Sequence, residues 1–374
     1  MQHTISKFLD LAEQAARHPY RRVDSTSSVW IFGAGNFGCS VSDALIDSRI
    51  EVAGFVETNP KLKSVQHLPV IDWEALASKY PSAQIALGIF NRNAPYDELL
   101  TVPKRFGFDA PLLPWEIYDQ FSNALGWRYW LSRRADLISQ LHRIAAVADR
   151  LGDNLSRELL LRICAFRLGL DTNFASYKSP ENQYFNALSI GALRNTLITY
   201  VDCGAYNGDT YHDLIHQQGI RCERAFLFEP DPANFSALVR VCGAANPEVI
   251  CLPLGVAESH RILSFSSGQG EGSAVAVGGD VHIAVASLDE MFPSARIDLI
   301  KLDVEGGEAQ ALLGAKSLIQ RTRPVLSMSL YHKPQDLWEL PELLFDVCEN
   351  YGLFIRQHYY NSFDCVLYAV PKPQ

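Results

Sequence analysis

The chain of 374 residues has no unbroken stretch of about 18 apolar residues, so no transmembrane helix is expected. Its start, Met1-Gln-His-Thr-Ile-Ser-Lys-Phe-Leu-Asp10, lacks the apolar core of a signal peptide and soon meets Asp10 and Glu13. It reads as an amphipathic helix. Among the eight cysteines (Cys39, Cys164, Cys203, Cys222, Cys242, Cys251, Cys348, Cys365) there is no Cys-x-x-Cys pair. Several lie in apolar runs, as expected of reduced core thiols in a cytoplasmic protein. Positive charge is also scarce. The net charge of −9 excludes nucleic acid as an expected partner, and Arg133-Arg134 reads as a solvated helix face. No glycine turn ends in Gly-Lys-Ser/Thr, so a P-loop is excluded.

What is present is a globular composition, 48% hydrophobic and 20% charged, on a chain long enough for two domains and a connector. Two glycine turns organise it. Val29-Trp-Ile-Phe-Gly-Ala-Gly-Asn-Phe-Gly38 runs from a strand through GxGxxG into a helix at Asn36 to Asp47. The next strand, Glu51 to Val56, ends at Glu57, and 57 − 38 = 19 residues suits a dinucleotide fingerprint. Asp72 is placed to cap a helix through Tyr80, Ala83–Leu87 reads as a strand, and Tyr96 to Arg105 as helical. The second turn, Val201-Asp-Cys-Gly-Ala-Tyr-Asn-Gly-Asp-Thr210, joins the strand Thr199–Val201 to a helix from Asp209 to His216. The strand Ala225–Phe228 then closes at Glu229, and 229 − 202 = 27 residues fits one βαβ step.

These signals predict an α/β chain of two doubly wound, Rossmann-like domains. A nucleotide-binding-like domain covers 1–115, a helical connector 116–198 and a second α/β domain 199–374. In the connector, Trp127–Leu131, Leu137–Ala148 and Leu155–Leu170 show helical spacing, with Asp153 or Asn154 as a cap. Asn182-Gln-Tyr-Phe185 precedes the second turn closely enough to form a lip over it. Further strands are expected at Val249–Leu252, Ile297–Leu302 and Val325–Ser329. A terminal hairpin of 353–360 and 363–370 turns at Asn361-Ser362.

The chemistry concentrates in the second half. Gly204 and Gly208 let backbone approach a ligand, and a carboxylate at Glu229 suits ribose hydroxyls. Asp202 and Asp209 would repel a pyrophosphate and favour a cofactor with an ammonium and a sulfonium, S-adenosylmethionine. In Ile297-Asp-Leu-Ile-Lys-Leu-Asp-Val-Glu-Gly-Gly-Glu308, Asp303 and Glu305 stand at a strand's C-terminal end, where such sheets hold ligands, and a helix from Glu308 to Gln320 follows. His332 and Lys333 follow the next strand.

The segments VDCGAYNGDT (201–210), FLFEPDPANFSAL (226–238), SLDEMF (287–292), IDLIKLDVEGGEAQALLGA (297–315) and SLYHKPQDLWELP (329–341) resemble the FkbM-type S-adenosylmethionine-dependent methyltransferases, in order. The resemblance implies a class I methyltransferase fold and O-methylation, commonly of sugar or polyketide-type hydroxyls. It places the cofactor at Asp202, Gly204, Gly208 and Glu229, with Ala205, Tyr206, Thr210, Pro230 and Gly255 alongside, and Asp303 at its methionine end. It leaves the base open. His332 is the first candidate, then Asp303 or Glu305, whereas a bland alternative makes Glu305 a helix cap. Asp303, Glu305, His332 and His358 are an alternative divalent-metal set.

The first turn, Gly33, Gly35 and Gly38 with Glu57, stays open among a nucleotide or nucleotide-sugar site, an NAD site and a structural module. Residues 28–57 resemble N-terminal domains of sugar-modifying acyltransferases, and no Tyr-x-x-x-Lys set supports redox chemistry. The expected partner is a small-molecule or glycan substrate, with a free, nucleotide-linked or lipid-linked sugar left open, as is the oligomeric state, a homodimer included. An NAD-dependent sugar oxidoreductase and a non-catalytic nucleotide-sugar binder are the alternative functions.

Overall fold

The computed structural model describes residues 2–173, 177–193, 196–217, 219–243, 248–266, 274–275 and 281–373. The chain divides into two compact units, Met1–Asp149 with Glu158–Lys178 and Tyr359–Phe363, and Arg150–Arg157 with Ser179–His358 and Asp364–Gln374.

The first unit is built on strands β1 (Val29–Phe32), β2 (Val52–Val56), β3 (Ser64–Val65), β4 (Leu68–Ile71) and β5 (Gln84–Leu87). Their order is β3-β4-β2-β1-β5. β1 runs parallel to β2 and β5, β2 is parallel to β4, and β3 is antiparallel to β4. Every residue of β1 is buried, as a strand covered on both faces requires. The glycine turn leaves the C-terminal end of β1 between its two neighbours. A Cβ at Gly38 would lie 2.0 Å from the Gly33 carbonyl oxygen, so the helix Asn36–Asp47 packs close only because that residue is glycine. Asp72 caps the helix Trp73–Lys79 by accepting the Ala75 amide at 2.7 Å.

Residues 116–198 do not form a unit of their own. Residues 116–149 and 158–178 belong to the first unit, and 150–157 and 179–198 to the second. The reason is packing: Trp115, Trp130, Tyr96 and Phe166 are buried together with ring centroids 5.2–6.4 Å apart. Tyr184, Phe185 and Ile190 instead join the core of the second unit. The helices Arg134–Arg150 and Asn154–Arg167 follow the predicted spacing. Trp127–Leu131 does not, because Gly126 and Tyr129 take positive φ and end the preceding helix.

The second unit carries β6 (Leu197–Cys203), β7 (Arg221–Phe228), β8 (Val249–Leu252), β9 (Gly255–Val256), β10 (Arg261–Ser266), β11 (Ala274–Val275), β12 (Val281–Ala286), β13 (Leu299–Leu302), β14 (Val325–Ser329), β15 (Tyr351–Gln357) and β16 (Cys365–Pro371). Seven strands form one sheet in the order β15-β16-β14-β13-β6-β7-β8. It is parallel except where β16 runs against β14 and β15. The order reverses between β6 and β13, and that reversal opens a crevice at their C-terminal ends. A small sheet, β11-β10-β12-β9, had no counterpart in the sequence reading.

Several predicted boundaries move, two of them in ways that bear on packing. The helix expected over Glu308 to Gln320 is two, Glu308–Leu313 and Lys316–Thr322. They part at Gly314, where a Cβ would meet the Ala257 carbonyl oxygen at 2.1 Å. The terminal hairpin turns over more residues than Asn361-Ser362, and His358 donates its amide to the Asp364 carbonyl at 3.1 Å. All eight cysteines are free, and among the described residues no helix is long and apolar enough to cross a membrane.

Candidate functional site: the acidic crevice between two strand ends

β6 delivers Asp202 to the crevice floor and then turns. Gly204 and Gly208 have φ of 89° and 88°, and Tyr206 takes the left-handed region at 49°. A Cβ on Gly204 would sit 1.9 Å from the Asp303 carbonyl oxygen, so this glycine lets the turn lie against the neighbouring strand end. Gly208 precedes the helix Asp209–Ile215, in which Thr210 is nearly buried.

Glu229, ending β7, folds back on that turn. It accepts the Tyr206 amide at 2.8 Å and, past Pro230, the Asp231 amide at 2.9 Å. Burial lifts its carboxyl to about 7, against the pull of those two amides. Asp231 caps the following helix through the amides of Ala233 and Asn234. Gly255 lies in β9, where a Cβ would meet Val285 at 3.0 Å and Pro230 at 3.7 Å.

Asp202 is fully buried and does not point into open space. Its carboxylate meets Lys301 Nζ at 3.0 Å and accepts the Tyr200 hydroxyl at 2.9 Å. Burial raises Asp202 above the usual carboxylate range despite the lysine. Asp202 thus lies beneath the turn's backbone and Glu229.

The acids follow β13, and β14 brings Ser329 and His332 beside them. Asp303 Oδ1 accepts the Ser329 hydroxyl at 2.6 Å, and Oδ2 accepts the Tyr184 hydroxyl at 2.8 Å. Burial works against its charge, but Lys301, His332 and these two hydroxyls outweigh that and hold it below the usual range. Burial and Asp303 together keep the Tyr184 phenol protonated. The 182–185 segment read as a lip thus reaches the acid through Tyr184.

His332 is fully buried. Its Nδ1 lies 2.7 Å from Glu308 Oε1, which also accepts the Val304 amide at 2.9 Å. Its Nε2 lies 3.5 Å from both Asp303 Oδ1 and Glu305 Oε2. Burial opposes a charged imidazole, yet Glu305, Glu308 and Asp303 outweigh it and hold the ring protonated well above its usual range. Glu305 behaves oppositely: burial pushes it up to about 8, with Asp303 and Glu308 adding to the lift against His332. Its φ is 50° and Oε2 has no hydrogen-bond donor. It does not cap the helix starting at Glu308, because that helix makes no side-chain cap bond.

Asp303, Glu305 and His332 offer ligand atoms within 4.8 Å of one another, a set able to hold a cation. His358 does not join them. Its Nε2 faces the Tyr368 hydroxyl at 2.7 Å and its Nδ1 the Glu181 carbonyl at 3.3 Å, so both nitrogens are engaged by other partners.

In the first unit, Glu57 makes the equivalent return contact, accepting the Ala34 amide at 3.2 Å. Gly33 has φ of 103°, and a Cβ on Gly35 would meet nothing within 4 Å.

Sequence reasoning missed Lys301, Ser329 and Glu308. Lys301 carried a signal, a lysine inside the apolar strand Leu299–Leu302. Glu308 stands three residues beyond Glu305 at a helix start, and Ser329 ends the same strand that His332 follows.

The mixed α/β fold with its parallel sheet is that of methyltransferase structures. Residues 202–359 match the family model of the Methyltransferase FkbM domain, so the resemblance read from the motifs holds and supports a methyltransferase activity. The crystal structure of Methyltransferase FkbM from Methylobacillus flagellatus KT is similar over 98% of this chain and 99% of that one, at 22% identity with a TM-score of 0.76; at that identity the likeness is one of fold. Weaker overlaps include a methyltransferase from Geobacter sulfurreducens (12% identity, 64% of this chain and 89% of that one, TM-score 0.28). Another is Aeropyrum pernix fibrillarin with natively bound S-adenosyl-L-methionine (16% identity, 46% of this chain and 66% of that one, TM-score 0.29). Neither overlap bears on function here. No curated protein matches the chain.

Proposed function

We propose that the chain is a cytoplasmic S-adenosylmethionine-dependent O-methyltransferase acting on a sugar hydroxyl in glycan or related natural-product biosynthesis. One observation carries the reading: the glycine turn closed by Glu229 and the Asp303–Glu305–His332 cluster sit at adjacent strand ends of one sheet, joined through Lys301. The fit to the cofactor is one of charge. Asp202, Asp303 and Glu308 outnumber Lys301 and His332 even while Glu305, lifted to about 8, and Glu229, near 7, carry their charge only in part, which suits a cation and opposes a phosphate.

Gly204, Ala205, Tyr206, Gly208 and Thr210 would line the cofactor with their backbone, Glu229 would accept the ribose hydroxyls, and Pro230 and Gly255 would border the base. When bound, the cofactor supplies an electrophilic methyl group. The protein's part is to orient the acceptor hydroxyl and take its proton. Asp303 is ill suited to that, since two hydroxyls, a lysine and an imidazole stabilise its charge. His332 already holds its proton. Glu305, lifted to about 8, exchanges a proton near neutral pH, and we assign it the base role for which His332 was the first candidate. His332 then stabilises the carboxylate that Glu305 presents.

A second reading makes Asp303, Glu305 and His332 ligands of a divalent cation, favoured by Glu308 accepting from Nδ1, which leaves Nε2 facing two carboxylate oxygens. Adding EDTA and then Mg²⁺ to an activity assay decides it, since indifference to both removes the metal. We further propose that the turn at Gly33, Gly35, Gly38 and Glu57 recognises a nucleotide or nucleotide-sugar, with NADH titrated beside UDP- and GDP-sugars as the control for the redox alternative.

The test of the main reading is calorimetry with S-adenosylhomocysteine. Binding is expected, and absence of heat at millimolar ligand overturns the reading. Mass spectrometry of glycans from cells with and without the protein should then show a 14-dalton difference, the mass of one added CH₂.

A further inference from the structure

Lys301 is the anomaly of the second unit. It stands in a strand buried at all four positions, and its side chain is 2% exposed. A buried ammonium persists only when paired and hydrogen-bonded. Here the register explains the pairing: Lys301 lies directly across from Asp202 on β6. Its Nζ is 3.0 Å from Asp202 Oδ1 and 3.8 Å from Asp303 Oδ2, donates to the Gly204 carbonyl at 2.6 Å, and sits 5.2 Å from the centre of the Tyr184 ring. One side chain therefore ties the glycine turn, the acid beneath it, Asp303 and the lip residue.

We propose that Lys301 is a positioning residue for the cofactor: it pins the Gly204 turn to the end of β13 and holds Asp202 and Asp303 on either side of one ammonium. The inference rests on the reading that the turn takes S-adenosylmethionine. Two buried carboxylates without the lysine would repel each other and shed their charge by protonation. With it, each carboxylate has a cation beside it. The Gly204 bond adds geometry. That glycine's Cα lies against the Asp303 backbone, so releasing its carbonyl lets the turn move off the strand end.

A merely structural ion pair would affect folding alone, and neutralising both partners separates the two roles. Melting temperature and S-adenosylhomocysteine affinity are measured for the wild type, Lys301→Met and Asp202→Asn/Lys301→Met. The single variant is expected to melt lower, because it leaves Asp202 buried and unpaired. The double variant is expected to recover most of that loss, yet to bind the ligand at least tenfold more weakly than the wild type. Recovery of affinity along with stability overturns the inference. Should the double variant fail to fold, Lys301→Arg replaces it: the charge is kept, but the planar guanidinium cannot reproduce the single close bond to Gly204. At least fivefold weaker binding supports the role and wild-type affinity overturns it. A wild type that folds but binds no S-adenosylhomocysteine sinks the methyltransferase reading itself, a result distinct from any of these.

Discussion

The molecule contains the same device twice. In each unit a glycine turn follows a buried parallel strand, and the acid ending the next strand returns to accept an amide of that turn, Glu57 at Ala34 and Glu229 at Tyr206. The surroundings differ. Around the first turn the neighbours are Phe37, Phe90 and Ile89, and Phe37 and Phe90 have ring centroids 5.1 Å apart. Around the second lie Asp202, Lys301, Asp303, Glu305, His332 and Tyr184. The difference teaches that the turn is a generic way of bringing backbone to a ligand, and that chemistry comes from what the adjacent strand end supplies. β13 supplies Lys301, Asp303 and Glu305. The corresponding strand in the first unit, β5, ends in Leu87 followed by Gly88.

The comparison breaks first at Glu305. If the second turn serves methyl transfer with Glu305 as base, Glu305→Gln should lower kcat by roughly 10²- to 10⁴-fold. S-adenosylhomocysteine affinity should change little. The sign with pH follows from the raised carboxyl: protonated Glu305 cannot accept a proton, so the wild-type rate should climb as pH rises and level off above about 8. A variant as fast as the wild type, or a rate flat from pH 6 to 9, returns the base role to another group.

Glu229 against Glu57 is the next contrast. Glu229→Gln keeps the shape but loses a charged acceptor, worth about 1.5–3 kcal/mol, or roughly a 10- to 150-fold weaker S-adenosylhomocysteine complex by calorimetry. Glu57→Gln should leave that affinity unchanged. Because Glu229's carboxyl stands near 7 in the free protein, hydroxyl donors bind best to its ionised form. Affinity should be full above pH 7 and weaken by up to about tenfold per unit below it. Folding runs the other way. A carboxyl raised above its unfolded value near 4.5 destabilises the free protein progressively as pH rises from there to about 7. A melting-temperature gap that widens across that range on adding ligand would show both signs at once.

Smaller still is the effect of Gly204→Ala, whose positive φ and 1.9 Å approach to Asp303 predict a loss of about 1–3 kcal/mol in urea unfolding. A neutral result would mean the turn yields more readily than its packing implies.

How much of this was legible in the sequence depends on range. The glycine turns, Glu57 and Glu229 were visible because βαβ spacing is local, and the acids of 297–308 because they follow an apolar run. What the sequence could not show was register. Nothing in a linear reading sets Lys301 across from Asp202 or turns Tyr184 onto Asp303 from 119 positions away. For the same reason Asp202 looked like a free ligand when its carboxylate is taken up by a lysine and a tyrosine. The connector misled because apolar helical stripes reveal burial but not the partner: Phe166 and Trp130 pack in one unit's core, Tyr184 and Phe185 in the other's.

The sharpest test of the first turn is at Gly35, where the expected change in stability is smallest. Gly33 has positive φ and a Cβ there would meet Ile89 at 2.6 Å, while one at Gly38 would meet the Gly33 carbonyl at 2.0 Å, so those glycines are explained by folding whether or not a ligand binds. Gly35 is different. It sits in extended backbone with open space where its Cβ would be, so the fold places no demand on its being glycine. Gly35→Ala should therefore stay within about 0.5 kcal/mol of wild-type stability. If the turn cradles a nucleotide, the added methyl occupies the space where backbone meets phosphate, at the start of the helix Asn36–Asp47. UDP- or GDP-sugar binding to the full chain should then weaken several-fold in Gly35→Ala and further in Gly35→Val, with methyl-donor binding unaffected. The full chain is the proper subject, because the first unit includes residues 158–178 and 359–363 and a fragment ending near 120 would lack them. Equal binding in wild type and both variants would make the first turn a structural copy of the second, kept for its packing alone.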